Sequence, residues 1–539
     1  MRDRAMVNRM TRLDVGVAMG KVGLPAPLPK LVARDWDAIV VGAGHNGLTA
    51  AAYLARAGRS VLVLERREQI GGACTLERPF PDPRYVISPC AYVVGLLDGL
   101  VVRELELERH GYRVFVADPN LWCPLPDGSS VALFLDRGRT ASHLRENGFS
   151  ERDIRGINAY NELFERLRKL LRTGPRDTWV GASPTRDELE ELLGHDDELV
   201  SVVFEESIAD TLDRYVDDER IKHALFGQGV IGAFAGPHDS GTASVRLMHH
   251  QGDLLGHGDV WGYVEGGMGR VSFAIAEAAQ ESGATLAAGV PVARIVPGEG
   301  VEIESGELLR APVVISNADP KRMLAMLDAD AVPAAFRRKI EGWRTESPVV
   351  KLNAGLHRLP AFAAARGVDA HRAMISITPG LDAAQEAADA GRRGEPSIGF
   401  CELYFQTVYD ASVAPPGRHT MSVFAQYAPY ELAQGDWESR RAEIGELILD
   451  AIAAYAPDVR DCIECLEVLG PPDIEHRIGL SGGHIFQGEA LPEQMWDRRF
   501  DHRTPVDGLY LCGAATHPAG SVIALNGRNA AMAAIQDAD

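Results

Sequence analysis

The residues whose types and spacing most plainly do chemistry lie between 42 and 65. Gly42, Gly44 and Gly47 stand in the spacing G-x-G-x-x-G, and Glu65 follows roughly 20 residues on. The chemistry is the holding of a dinucleotide pyrophosphate. Gly42 makes the tight turn, Gly44 lets the backbone approach the phosphates, and Gly47 lets a helix pack on the preceding strand. Backbone N–H groups at the positive end of that helix face the anion. Glu65 can accept hydrogen bonds from a ribose hydroxyl. A glycine pair further on, Gly71-Gly72, suits a second close approach of backbone to a long cofactor.

Other candidate groups carry less. Gly227, Gly229 and Gly232 repeat the same spacing, but they follow a charged, helical-looking stretch with no strand before it, which reads as a turn. His249, His250 and His257 lack a carboxylate at ligand spacing, so no metal is expected. Cys74 has no close cysteine, and Cys462 and Cys465 lie far from it in a charged stretch, so that pair reads as structural.

The elements that must position the motif are visible around it. Apolar residues 38–41 form a strand running into Gly42, and Leu48, Ala51, Ala52, Leu54 and Ala55 recur at helical spacing. A second apolar strand, 61–64, ends on Glu65. Residues 112–117 and 130–135 alternate as strands. From 139 the pattern turns helical, and Tyr160, Leu163, Phe164, Leu167, Leu170 and Leu171 form an apolar stripe edged by Arg and Lys. That stripe reads as a half-buried helix of an inserted domain, with a membrane-facing amphipathic helix as the alternative. After 256 the β/α alternation resumes, and 508–522 is a last strand entering a glycine turn, followed by a helix from about 525. The division expected is an N-terminal extension (1–34), three parts of one nucleotide-binding domain (35–138, 256–330, 500–539), and a second domain with a helical part (139–255) and a sheet (331–499).

A chain of 539 residues supports roughly three to four compact units. A net charge of -21 argues against a nucleic-acid partner, and no apolar run is long enough to span a membrane. Seven scattered cysteines fit a reducing compartment. The expectation is a cytoplasmic protein, with peripheral membrane contact and a homodimer left open, or a mitochondrial matrix protein if the chain is eukaryotic.

Six segments in order, AIVVGAGHNGLTAAAYLARAG, LERREQIGGAC, WGYVEGGMGRVSFAIAEAA, VVISNADP, GLSGGHIFQGEALPEQMW and GLYLCGAATHPAGSV, together resemble the FAD-dependent phytoene desaturase-like oxidoreductases, relatives of the flavin amine oxidases. The likeness spans about 36–535. It implies FAD, with the pyrophosphate over Gly42, Ala43, Gly44, Asn46 and Gly47, the adenosine ribose on Glu65 beside Arg66, and Gly72 and Ala73 along the ribityl and flavin end. Val292 matches the adenine contact, Gly513 and Ala514 a second FAD contact, and Gly520 to Val522 the backbone facing the flavin ring. One departure is that Ala519 and Ser521 stand where the family often has glycine. His517 and His484 are the catalytic candidates that the likeness places near the ring.

The fold expected is α/β: a discontinuous Rossmann-like FAD-binding domain with an inserted α+β substrate domain. With no second nucleotide domain in sight, oxygen or a quinone is the expected electron acceptor. The expected reaction is dehydrogenation or desaturation of an apolar small molecule, a polyene or other lipid, by hydride transfer to the flavin. Amine oxidation is the alternative, as is a flavin-bound protein acting mainly through protein contacts.

Overall fold

The computed structural model describes residues 19–538. The expected extension up to residue 18 lies outside the described residues. Its remainder packs on the body, where Ile70 N donates to Gly20 O at 2.9 Å and Trp36 Nε1 to Leu31 O at 3.2 Å.

Along the chain, β1 (Ala38–Val41), α1 (His45–Arg56) and β2 (Val61–Glu65) form the first βαβ unit. All residues of both strands are buried, as befits apolar runs covered on both faces. β3 (Leu121–Pro124) and β4 (Ser130–Leu133) come next, then the long α2 (Glu151–Arg172), α3 (Thr242–His249) and α4 (Gly269–Glu281). β5 (Thr285–Ala288) precedes a three-stranded antiparallel sheet of β6 (Val292–Val296), β7 (Gly300–Ile303) and β8 (Leu308–Arg310). β9 (Val313–Ser316), β10 (Val349–Leu356), β11 (Met374–Ile377), β12 (Phe400–Tyr404), β13 (His419–Gln426) and β14 (Ile463–Leu469) follow. The chain closes with α5 (Pro471–Ile478), β15 (Leu509–Leu511) and α6 (Leu525–Ala538).

Two large sheets organise these elements. The five-stranded sheet has the order β15-β9-β1-β2-β5 and is parallel throughout, so strands from both ends and the middle of the chain build one nucleotide-binding layer. α4 and α6 pack against α1 on one face of it. The seven-stranded sheet has the order β14-β10-β13-β12-β11-β3-β4. This is the discontinuous Rossmann-like domain with an inserted α+β domain that the sequence leads one to expect. Within the span 35–138, however, β3 and β4 belong to the second sheet, with β3 pairing parallel to β11. An alternating strand pattern names no pairing partner, so the sequence of 121–133 is silent on this.

The stripe of α2 is core. Ile157, Tyr160, Leu163, Phe164, Leu167 and Leu171 are all buried, and Arg172 at its end pairs with Asp98 at 2.6 Å. Gly227–Gly229 is a short 3-10 turn after the helix Glu219–Leu225, as the absence of a strand before it foretold.

Candidate cofactor and active site

β1 delivers the chain into Gly42, whose φ of +98° suits glycine, and Gly44 then precedes the first turn of α1. A Cβ at Gly47 would overlap the carbonyl oxygen of Gly42, which explains the third glycine as packing of helix on strand. Glu65 is buried at the end of β2; its carboxylate accepts from Ala43 N and Arg67 N, both at 2.9 Å. The Gly71-Gly72 turn lies on the same loop, with Gly71 N donating to Ala43 O at 2.8 Å. A Cβ at Gly72 would stand 3.2 Å from Gly44 Cα. Asn317, just after β9, closes the third side and donates from Nδ2 to Gly42 O at 3.3 Å. Three strand ends of the parallel sheet therefore converge on one glycine cradle, at the carboxyl edge where such sheets hold ligands.

A cavity of about 550 Å³ starts at this cradle and runs to the second sheet. Glu65, Arg66 and Val292 line one end, and Gly42, Gly44, Asn46, Gly72 and Ala73 the middle. Ala514 and Val522 line the wall beyond. These ten come together around one cavity. Four others do not reach the cavity. Ala43 spends its N–H on Glu65, and Gly47 lies behind the loop. A Cβ at Gly513 would come 2.6 Å from Gln487 Oε1, and one at Gly520 would overlap Phe486, so both glycines serve close packing. Ser521, with φ +99°, lines the wall beside them.

Two buried polar atoms that line the cavity, His45 Nε2 and Asn46 Oδ1, lack partners within the protein. Burial pushes the His45 imidazole down to about 4, so the ring is neutral at the mouth of the helix. Unpaired polar atoms at a helix N-terminus, inside a glycine cradle, fit a dinucleotide.

The far end is built by one face of the seven-stranded sheet. Register places Lys351, Phe424 and Glu402 in one row across β10, β13 and β12, with Ser376 of β11 beside Glu402. Lys351 is 2% exposed; its Nζ donates to Asn353 Oδ1 at 2.9 Å and to Ser422 Oγ, and stands 4.2 Å from the Tyr92 ring centre. Burial pushes this ammonium down to about 7, against an opposing pull from Cys90 and Glu467. Glu402 accepts a hydrogen bond from the Tyr404 hydroxyl, and burial pushes its carboxyl up to about 7. Tyr92 and Tyr404 pack with ring centres 4.7 Å apart. Trp261, Phe486 and His249 complete the wall; burial holds the His249 ring neutral, down to about 4.

Residues 40–94 match the NAD(P)-binding Rossmann-like domain, and residues 123–535 match the flavin containing amine oxidoreductase family. The chain belongs to that flavin-dependent family. It is 34% identical to pyridine nucleotide-disulfide oxidoreductase domain-containing protein 2 of Mus musculus over 548 aligned positions, covering 93% of this chain and 94% of the relative. Hydroxyneurosporene desaturase of Rhodobacter capsulatus is 26% identical, with 93% and 98% covered. Among solved structures, cyclohexylamine oxidase from Brevibacterium oxydans superposes with a TM-score of 0.54 at 17% identity, with 94% and 100% covered, which speaks to the fold.

FAD is the cofactor of this flavin oxidoreductase family, and the cradle and cavity fit it. The two histidines that the sequence put forward, His517 and His484, stand apart from the cavity lining, and both are buried. His517 Nε2 donates to Thr178 O at 2.6 Å, and burial pushes the ring down to about 3. His484 Nδ1 accepts from Phe486 N at 3.2 Å. Each is bonded to the backbone of a loop that backs the cavity. The pair Cys462 and Cys465 also lies outside the lining.

What sequence reasoning missed in this flavin enzyme is Lys351, Glu402 and Arg499. A lysine inside the apolar run VVKLNAGL, at a position facing the same way as buried neighbours, is a signal that could have been read. Arg499 is 2% exposed and donates to five carbonyls, those of Phe486, Glu489, Gln494, Ala514 and Thr516. It sews together the two C-terminal loops that wall the cavity.

Proposed function

We propose that this flavin oxidoreductase dehydrogenates an apolar small molecule, a polyene or other lipid, introducing a double bond and passing the electrons on to oxygen or a quinone. The observation that carries the proposal is the wall of the cavity beyond the cradle, where Tyr92, Trp261, Met374, Tyr404, Phe424 and Phe486 enclose a single buried amine, Lys351. An apolar wall suits a hydrocarbon body. The similarity to hydroxyneurosporene desaturase, which by its name acts on a polyene, supports the same substrate class.

Bound FAD supplies the acceptor for the hydride. The chain supplies the rest. The glycine cradle and α1 hold the pyrophosphate, and Glu65 a ribose hydroxyl. The aromatic wall orients the substrate and excludes water. Lys351 Nζ takes up the proton that a desaturation releases, because a group titrating near neutral pH is a competent base. Asn353 and Ser422 hold that nitrogen in place.

The test is anaerobic titration of the oxidised holoprotein with polyenes, terpenoids and primary amines, followed by its visible spectrum. Bleaching by an unsaturated lipid and not by amines supports the proposal. Bleaching by amines alone sinks it.

A further inference from the structure

A second cavity, of about 470 Å³, adjoins the first and is unlike it in lining. The two share Gln228, Met374 and Glu402, which form a neck between them. The first is walled by aromatic and aliphatic groups on the sheet side of that neck. The second lies between α2 and the edge of the seven-stranded sheet, and is walled by Asn161, Glu165, Arg168, Arg246, Asp259 and Ser376 among others. A cavity with many polar groups, the vestibule, thus meets an apolar chamber at Gln228, Met374 and Glu402.

Each arginine and lysine of the vestibule already has a carboxylate partner. Arg246 pairs with Asp259 at 2.6 Å, Arg168 with Glu165 at 2.8 Å, Lys169 with Glu165 at 3.4 Å, and Arg137 with Glu162 at 3.6 Å. An anionic head would have to compete with Asp259, Glu165 and Glu162 for those cations, and a buried ion without a partner of its own is costly. At the neck the situation differs. Ser376 Oγ is buried, 2% exposed as a residue, and has no hydrogen-bond partner in the protein. Glu402 sits directly across from it in the strand register, on the same face.

We propose that the substrate is an amphiphile bound tail first: its apolar part passes the neck into the chamber, and a neutral, hydroxyl-bearing head stays in the vestibule on Ser376 and Glu402. This rests on the dehydrogenase reading above and narrows its substrate class. A hydroxyl can donate to and accept from the two side chains at once, which satisfies Ser376 Oγ without a new charge. The raised titration of Glu402 keeps its protonated, donating form populated near neutral pH.

The experiment is equilibrium binding to the FAD-loaded protein, read by quenching of tryptophan fluorescence, for four chains of equal length: dodecan-1-ol, dodecanoate, dodecylammonium and dodecane. Dodecan-1-ol binds on the order of tenfold more tightly than the other three. Ser376→Ala weakens the alcohol by about three- to tenfold, the worth of one neutral hydrogen bond, and leaves dodecane unchanged. The flavin spectrum of the variant shows that it folds. Met374→Trp, which narrows the neck, abolishes binding of the alcohol at unchanged flavin content. Equal affinity for all four chains, tighter binding of either ion, no effect of Ser376→Ala, or no binding at all overturns the proposal. Failure of every polyene and terpenoid to bleach the wild-type flavin instead overturns the dehydrogenase reading, and does not depend on how the heads rank.

Discussion

At the scale of the residue, two buried groups carry the proposed chemistry, Lys351 at the aromatic wall and Glu65 at the cradle. Lys351 loses hydration in the aromatic wall, and its ammonium is held down to about 7. The rate of flavin reduction therefore rises with pH through about 7, and Lys351→Met lowers it by roughly 10²- to 10⁴-fold while flavin stays bound. The sign for stability follows from the same group. Between about 7 and 10.5 the unfolded chain binds a proton there that the folded chain does not, so the wild type gains stability relative to Lys351→Met as pH rises across that window. Thermal melts of both proteins at stepped pH read this directly; a flat difference contradicts it. Glu65 was legible from its place at the end of a strand, and its two backbone partners explain its burial. Glu65→Ala leaves Ala43 N and Arg67 N unpaired, at a cost of about 1–3 kcal/mol, and retention of flavin through gel filtration falls with it. Lys351 and Glu402 were not found in sequence because their neighbourhood is a row across three strands from 351 to 424, which no local spacing encodes.

At the scale of the element, the βαβ unit was read almost residue for residue, because its turn, helix and acid are local in the chain. The C-terminal loops were harder. Gly513 and Gly520 looked like cofactor contacts, since a glycine beside a ligand and a glycine beside Phe486 are spelled alike. Space decides between them: Gln487 Oε1 stands where a side chain at Gly513 would go, and Phe486 where one at Gly520 would. Gly47→Ala drives a Cβ into the Gly42 carbonyl and moves α1 off β1; the protein is expected to purify with little flavin and a lowered melting temperature. Arg499→Met strands four carbonyls in the interior, those of Phe486, Glu489, Gln494 and Ala514, while Thr516 O keeps Asn526 Nδ2 at 3.0 Å. Several unmet acceptors at about 1–3 kcal/mol each exceed a typical margin of stability, so this variant is expected in the insoluble fraction. Soluble Arg499→Met with full flavin content would show that the loops hold without it.

At the scale of the whole molecule, two sheets from interleaved stretches of one chain face each other across the cofactor cavity. They are tied across the cradle by Arg67, Glu77, Arg477 and Glu467, linked in turn at 2.6, 3.2 and 2.8 Å. Arg67 follows the ribose-side acid, while Glu467 lies on β14 and is within 3.4 Å of Asn353, the partner of Lys351. Glu77→Gln breaks both of its ion pairs, and a loss of about 1–3 kcal/mol is expected, with faster release of flavin in dialysis. Unchanged release would mean that apolar packing alone sets the sheets. The alternation of β/α, helical and β stretches made this architecture readable, but not which sheet β3 and β4 would join, since that pairing is made with β11, far along the chain. The central claim is that the cavity dehydrogenates an apolar molecule. Its most direct test is the visible spectrum of the purified holoprotein during anaerobic titration with an unsaturated lipid and, separately, with a primary amine. The lipid is predicted to bleach the flavin and the amine to leave it oxidised; bleaching by the amine with none by the lipid would contradict the account.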